Sequence, residues 1–291
     1  MLFRSRWDRL TDALNIVVLG VIACVMLFPF LYIFSISFSP LSDFLRNDVI
    51  LFPKHFVLDA YTYILSSPAF RRSLLVSAGI TIVGTLVNLL MTASMAYALA
   101  RPIYGRRLML LLVLFTVLFG AGLVPTYLVV KATHLIDSYW ALILPVAISP
   151  FNLIVMRQFF LSLPEELTDA AVIDGANELQ IFWHIILPVS KPALAAFGLF
   201  YAVGHWNNYF SGLLYLNDPA KWPVQVVLRQ IVILNQPTAA LGQDQQLLEH
   251  QPRPETIQMA AILLATLPIL VIYPFLQKHF AKGVILGAVK G

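Results

Sequence analysis

An all-α membrane protein with six transmembrane helices is the fold class this sequence predicts, on three observations. Apolar residues make up 59% of the 291 positions and charged residues only 12%, and the mean hydropathy is +0.80, a balance found in polytopic membrane proteins rather than soluble domains. Six segments approach or exceed the about 20 apolar residues that cross the hydrocarbon core. One polar loop, residues 162–188, interrupts the apolar pattern and carries its own helix start and stop signals.

The six spans are placed at about 13–38, 74–100, 108–130, 139–156, 192–216 and 257–276. No Gly- or Ser-rich linker divides them, so residues 1–291 are expected to form one transmembrane domain. Arg4, Arg6 and Arg9 precede the first span, which is too long for a signal-peptide core and is expected to be retained. Span two carries Thr92, Ala96 and Ala100, small residues four apart that permit close helix contact. Asn88 lies one turn earlier and serves either an interhelical hydrogen bond or a substrate contact. Phe119-Gly120-Ala121-Gly122 and Pro125 predict a break or kink in span three. Tyr139 and Trp140 are amphipathic rings suited to a membrane interface. Span five holds the densest polar cluster: His205, Trp206, Asn207, Asn208 and Tyr209. Polar groups at depth must face other helices or water. Helical spacing puts His205, Asn208 and Tyr209 on one side, either lining a translocation path or riveting helices together.

The loop 217–255 is long for a connection and contains an amphipathic run over residues 222–233, which suits a docking surface for a soluble partner or a flexible insertion. The tail, residues 282–291, is short and glycine-punctuated, and is expected to extend along a partner. Arg4, Arg6, Arg9, Arg101, Arg106, Arg107, Arg157, Lys191, Lys278, Lys282 and Lys290 fall on one side of the six-span topology. The other side holds Arg46, Lys54, Arg71, Arg72, Lys131, Lys221, Arg229 and Arg253, mostly in long loops where the positive-inside rule counts for little. This bias puts both termini and the loop 162–188 in the cytoplasm, although Arg71-Arg72 opposes it.

Ser162 and Glu165 have capping-box spacing, and Pro164 fits a first helical turn. Leu163, Leu167, Ala170 and Ala171 then share a face, flanked by Glu165, Glu166 and Asp169. Gly175 ends that helix, and Asn177 caps a second one closed by Leu187-Pro188. The spacing Asp169-Ala170-Ala171, three residues, Gly175, nine residues, Ile185, one residue, Leu187-Pro188 resembles the EAA loop of membrane subunits of ATP-binding-cassette importers. Asp169 stands where that family usually has Glu, so Glu166 or Asp174 can share its role.

The resemblance extends to Tyr97–Arg101, Trp140–Pro145, Trp206-Asn207, Pro223–Arg229 and Gly287–Gly291, and is strongest to carbohydrate-uptake permeases of the maltose type, within the branch for complex or acidic oligosaccharides, alginate among them. It implies a bacterial inner-membrane permease working by alternating access. Its implied partners are a homologous second permease in a heterodimer, two ATPase subunits binding ATP and Mg, and an extracytoplasmic solute-binding protein. The loop would act as a coupling helix: Leu167, Ala170 and Ala171 packing into the ATPase, Asp169 meeting a basic group there, and Gly175 allowing the turn.

The chain itself has no phosphate-binding G-x-x-x-x-G-K-[ST] loop. Its single cysteine, Cys24, and scattered histidines provide no disulfide framework or metal set. No catalytic site, metal site or cofactor is expected, and the charge of +4 reflects cationic loops rather than nucleic-acid binding. The alternative is an ion-coupled secondary carrier, which usually buries ionisable residues in repeated halves. Here only His205 qualifies. A non-transporting scaffold would leave the capped loop and the span-five cluster without a role.

Overall fold

The computed structural model describes residues 6–40, 52–53, 55–236, 240–241 and 252–288. Arg4, Arg46, Lys54, Lys290 and much of the loop 217–255 therefore lie outside the described residues. Among those described, every regular element is helical and none is a strand, as expected where lipid leaves backbone groups no external partner.

Helix α1, Arg6–Ser37, begins with charged residues and carries a long apolar stretch over Thr11–Ser37. Helix α2, Asp59–Ser66, leads to α3, Pro68–Ala100. Ser67 sets the start of α3 by accepting the Phe70 amide proton at 3.2 Å, so this span begins earlier than the apolar pattern suggests. Helices α4, Arg106–Leu118, and α5, Leu123–Ala132, meet at 120°. The turn uses Gly122 at φ +81, and Thr126 Oγ1 donates to the Gly122 carbonyl at 2.7 Å.

The fourth span is also broken: α6, Trp140–Val146, and α7, Pro150–Leu161, differ in direction by 54°. Helix α8, Glu166–Ile173, is followed by α9, Glu178–Val189, which passes through a π turn at Phe182–Ile186 and bends by 82° into α10, Lys191–Trp206. Leu187-Pro188 thus continues α9 rather than closing it. The expected fifth span ends at Trp206 and resumes as α11, Phe210–Tyr215. Helix α12, Val224–Val232, and α13, Pro254–Ala288, complete the order. Helix α13 continues through residues 282–288 of the tail. Glycine in a helix costs only about 1 kcal/mol against alanine, and the residues between Gly283 and Gly287 are Val284, Ile285 and Leu286. Among the described residues, three helices are long and apolar enough to span a membrane, or up to six if each bent pair is one span.

The chain forms two compact units, Met1–Arg71 with Leu228–Thr266, and Arg72–Val227 with Leu267–Gly291. In the first, Tyr61 donates to Ser37 Oγ at 2.8 Å and stacks on Phe38, closing the end of α1 against α2. Ser67 Oγ donates to the Leu241 carbonyl at 2.6 Å, and Gln258 Nε2 to Asn235 Oδ1 at 3.0 Å.

The second unit is built along α3. Near the C-terminal end, Ala93, Ala96, Tyr97 and Leu99 pack with Leu153, Met156 and Phe160 of α7, Ala171 of α8, and Ile181 and Phe182 of α9. Toward the other end Ile80 packs with Val130, Ala141–Ile143, Tyr215 and Leu216. A helix rises about 1.5 Å per residue, so Ser77 and Tyr97 stand roughly 30 Å apart, one hydrocarbon thickness. Between them α3 and α10 cross closely: a Cβ on Gly84 would lie 2.6 Å from His205 Nε2, and one on Gly198 3.3 Å from Leu89 Cδ1.

That crossing yields a paired test. Alanine gains about 1 kcal/mol over glycine in a helix, but overpacking costs about 1–3 kcal/mol. Gly84→Ala must displace a buried ring, whereas Gly79→Ala meets nothing within 4 Å. Thermal unfolding in detergent should show Gly84→Ala less stable than the parent and Gly79→Ala no less stable. Equal melting of the two variants would mean that the His205 ring moves aside without cost.

Candidate functional site

Two features stand out in the second unit: the loop 162–188 and a polar cavity beside α3. The loop's first helix, α8, carries Glu166 and Asp169 in its first turn, where carboxylates favour the positive helix end. Its close is a full Schellman turn. The Gly175 amide donates to Val172 O at 3.0 Å and Ala176 to Ala171 O at 2.9 Å, with Gly175 at φ +83. Asn177 and Gln180 then form a reciprocal capping box that starts α9.

The expected Ser162–Glu165 box does not form. Ser162 closes α7 instead, its hydroxyl donating to the Phe159 carbonyl at 2.7 Å, and Glu165 makes no side-chain cap. A serine at a helix end can satisfy either neighbour, and here the preceding helix claims it.

Ala171 is a second correction. Expected on the docking face, it is 7% exposed and, like Thr168, lies on the buried side of α8. Ile185 and Leu187 also pack partly inward. Glu166, Leu167, Asp169, Ala170, Asp174, Gly175 and Pro188 are exposed. Beside them stand Val172, Ile173, Leu179 and Trp183, which the sequence reading missed; Ile173 is 85% exposed and Leu179 71%. Large apolar residues between carboxylates in a water-facing loop were the available signal.

The cavity has a volume of about 440 Å³ and is lined by Asn88, His205 and Asn208. Asn207 and Tyr209 do not line it: the helix ends at Trp206, which breaks the spacing that put Tyr209 beside His205. Ser149, Asn152 and Tyr201 were missed and complete its polar wall, with Val146, Pro150 and Phe200 among the apolar groups. Pro145 and Pro150 around Ser149 were the sequence signal for the break that brings them there. Asn88 Nδ2 donates to the Val146 carbonyl at 3.1 Å. Tyr201 OH accepts from the Ser149 amide at 3.2 Å and shares a 2.7 Å bond with Thr92 Oγ1. Ser149 Oγ caps α7, and Asn208 Oδ1 accepts from Ser211 N at 3.1 Å. Among the described residues, no group of three or more His, Cys, Asp or Glu side chains could hold a metal.

The model of binding-protein-dependent transport system inner membrane components matches residues 1–286. The chain belongs to that family. It is therefore a non-catalytic, multi-pass inner-membrane permease, working with a solute-binding protein and an ATPase and carrying no cofactor of its own. It is 53% identical over 288 residues to protein LplC of Bacillus subtilis (strain 168), covering 99% of this chain and 97% of that one. The polygalacturonan/rhamnogalacturonan transport system permease protein YtcP of the same organism is 48% identical over 286 residues, covering 98% and 99%. Among solved structures, a chain from a bacterial ABC transporter involved in the import of the acidic polysaccharide alginate matches with a TM-score of 0.89 at 34% identity, over 96% of this permease and 100% of that chain.

At the end of the second unit near Tyr215, a carboxylate clamp fixes the approach to α12. Asp137, at φ +60, donates its amide to Tyr215 O at 2.8 Å and accepts the Asn217 and Asp218 amides on Oδ1 at 3.1 Å each. Lys221 Nζ donates to its Oδ2 at 2.5 Å and its carbonyl at 2.8 Å. The Lys221 ammonium, then the Asp218 amide, hold the Asp137 carboxyl below its usual range, while the carboxylate raises the Lys221 pKa. The clamp therefore contributes above the ordinary carboxylate pKa of about 3.9 and is lost as pH falls through and below that value. Proteolysis within 217–222 should accelerate as pH is lowered toward that range with an acid-stable protease. Asp137→Asn should already be fast at neutral pH and show a flatter pH response; an unchanged profile would remove the carboxylate from the clamp.

Proposed function

We propose that this permease contributes to the translocation path for a uronate-containing oligosaccharide, in a heterodimer with a homologous second permease, and is driven by ATPases docked on its loop 162–188. The polar cavity at the broken fourth span carries the reading. It presents amide, hydroxyl and imidazole groups from α3, α7 and α10 against apolar walls, the combination that suits a sugar's hydroxyls and ring faces. Helix α7 begins at this cavity, and its positive end favours a carboxylate. Two relatives support an acidic solute: the names of one specify polygalacturonan and rhamnogalacturonan, and the other comes from an importer of alginate. Asn88, His205 and Asn208 are the assigned path residues, joined by Ser149, Asn152 and Tyr201. Asn207 and Tyr209 belong to the path only if the break at 207–209 rearranges during transport.

Both termini and the loop face the cytoplasm in this reading, while the segment 217–255 faces the binding protein. Leu167, Ala170, Val172 and Ile173 meet the ATPase. Glu166, Asp169 and Asp174 offer carboxylates to its basic groups, and Gly175, Ile185, Leu187 and Pro188 fix the loop's shape. Alternating access then moves the cavity between the two faces.

Two measurements test the proposal. In proteoliposomes containing both permeases, the ATPase and the binding protein, oligogalacturonate or oligoalginate should stimulate hydrolysis, whereas carboxyl-reduced and maltose-type oligosaccharides should not. Stimulation by the neutral sugars alone would overturn the acidic assignment. For docking, Gly175→Val forces a β-branched residue to positive φ, costing about 1–2 kcal/mol, so ATPase retention should weaken by about tenfold. Full retention and unchanged uptake would remove Gly175 from coupling.

A further inference from the structure

We propose that Tyr97, Arg101 and Glu178 form a brace that delivers movement of the loop 162–188 to α3, and through α3 to the cavity. The inference rests on the proposed docking of the ATPase on that loop. Glu178 is the first residue of α9, held in place by the Asn177–Gln180 capping box. Its Oε2 accepts the Tyr97 hydroxyl proton at 2.5 Å and lies 3.5 Å from Arg101 Nε. Arg101 also donates to Tyr97 OH from Nη2 at 3.1 Å, with its guanidinium 5.2 Å from the Tyr97 ring centre.

The Tyr97 ring sits between the two arms of the loop, 6.4 Å from Phe160 of α7 and 5.2 Å from Phe182 of α9. A second tie comes from the arm before α8. Arg157 Nε of α7 donates at 2.8 Å to the Leu99 carbonyl, one of the C-terminal carbonyls of α3 without a helical partner. Chain entering the loop and chain leaving it are thus both fastened to the last turn of α3.

From there the path upward is a continuous helix. Thr92 lies five residues before Tyr97 and Asn88 nine, roughly 8 and 14 Å along the axis. Thr92 bonds Tyr201, and Asn88 bonds the Val146 carbonyl, so both reach the cavity wall. A push on α8 or α9 cannot be absorbed locally without breaking the Tyr97–Glu178 bond or moving α3. Stability alone does not account for the arrangement: the Glu178 side chain is 65% exposed, and so exposed an ion pair contributes little. Its direction, across the junction of loop and span, is what it supplies.

The test uses the complete transporter with its ATPase and binding protein. Tyr97→Phe keeps the ring packing and removes the hydroxyl; Glu178→Gln keeps an acceptor of the same length and removes the charge. Both should retain the ATPase and its basal hydrolysis while solute imported per ATP falls by about fivefold or more. The exchange Arg101→Glu with Glu178→Arg should recover more of that ratio than either single change. Unchanged import per ATP in both conservative variants would overturn the brace. Equal loss of ATPase retention, hydrolysis and import would also overturn it, because the contact would then only build the docking surface. Failure of the parent permease to retain any ATPase would instead overturn the docking assignment.

Discussion

A backbone amide or carbonyl left unpaired in hydrocarbon costs several kcal/mol, and this constraint shapes the permease more than any single contact. It explains why the described chain is helical throughout. It also explains what happens where helices stop. At Phe119–Gly122, the Phe119 amide still reaches the Phe115 carbonyl at 2.8 Å, closing α4. At the break before α7, Ser149 Oγ accepts the Asn152 amide and Tyr201 takes the Ser149 amide. At 207–209, Asn208 accepts from Ser211. Two of these repairs use Ser149, Tyr201 and Asn208, which also line the cavity. The polar lining of the cavity and the repair of a broken helix therefore draw on the same residues. That economy is expected where irregular backbone is tolerated only beside protein or a water-filled space.

How much of this could be read from sequence depended on the range over which each residue acts. Gly175 and Asn177 act within one turn, through a positive φ and a cap, and their roles follow from identity and spacing. Ser162 also acts within one turn, but two helices compete for its hydroxyl and spacing cannot say which prevails. Ala171 failed for another reason. Helix α8 has small or apolar residues on more than one side, so its periodicity identifies a helix without saying which face meets the core. Span five looked continuous because apolar residues flank Asn207–Tyr209 on both sides, whereas the break depends on local capping by Asn208. Tyr201 and Ser149 were hidden by distance along the chain: they are 52 residues apart, and the prolines around Ser149 mark a break without saying which residue meets it.

Glycine adds a second constraint, acting on packing. Gly84 admits the His205 ring, and Gly198 admits Leu89, so α3 and α10 approach more closely than side chains would allow. Small residues serve this purpose in membranes because lipid provides no hydrophobic drive between helices, leaving contact and hydrogen bonds to hold them. The same closeness carries Thr92 to Tyr201. Span two was identifiable as a contact helix from Thr92, Ala96 and Ala100, but its partners required the fold.

Exposure of apolar surface has different meanings in different parts of this chain. The candidate span of α1 is exposed along its most apolar stretch, and lipid alone can cover it. Ile173, Leu179 and Trp183 are also exposed, yet they stand among Glu165, Glu166, Asp169, Asp174 and Glu178. Carboxylates at that density keep the segment out of hydrocarbon. Its apolar residues therefore face water or a protein, and a water-exposed cluster of this kind calls for a protein partner. Burial of Thr168 and Ala171 anchors the inner side of α8, and the opposite side is left exposed. An element fixed on one face and unsatisfied on the other can pass a displacement inward, which a loop free on both faces could not do.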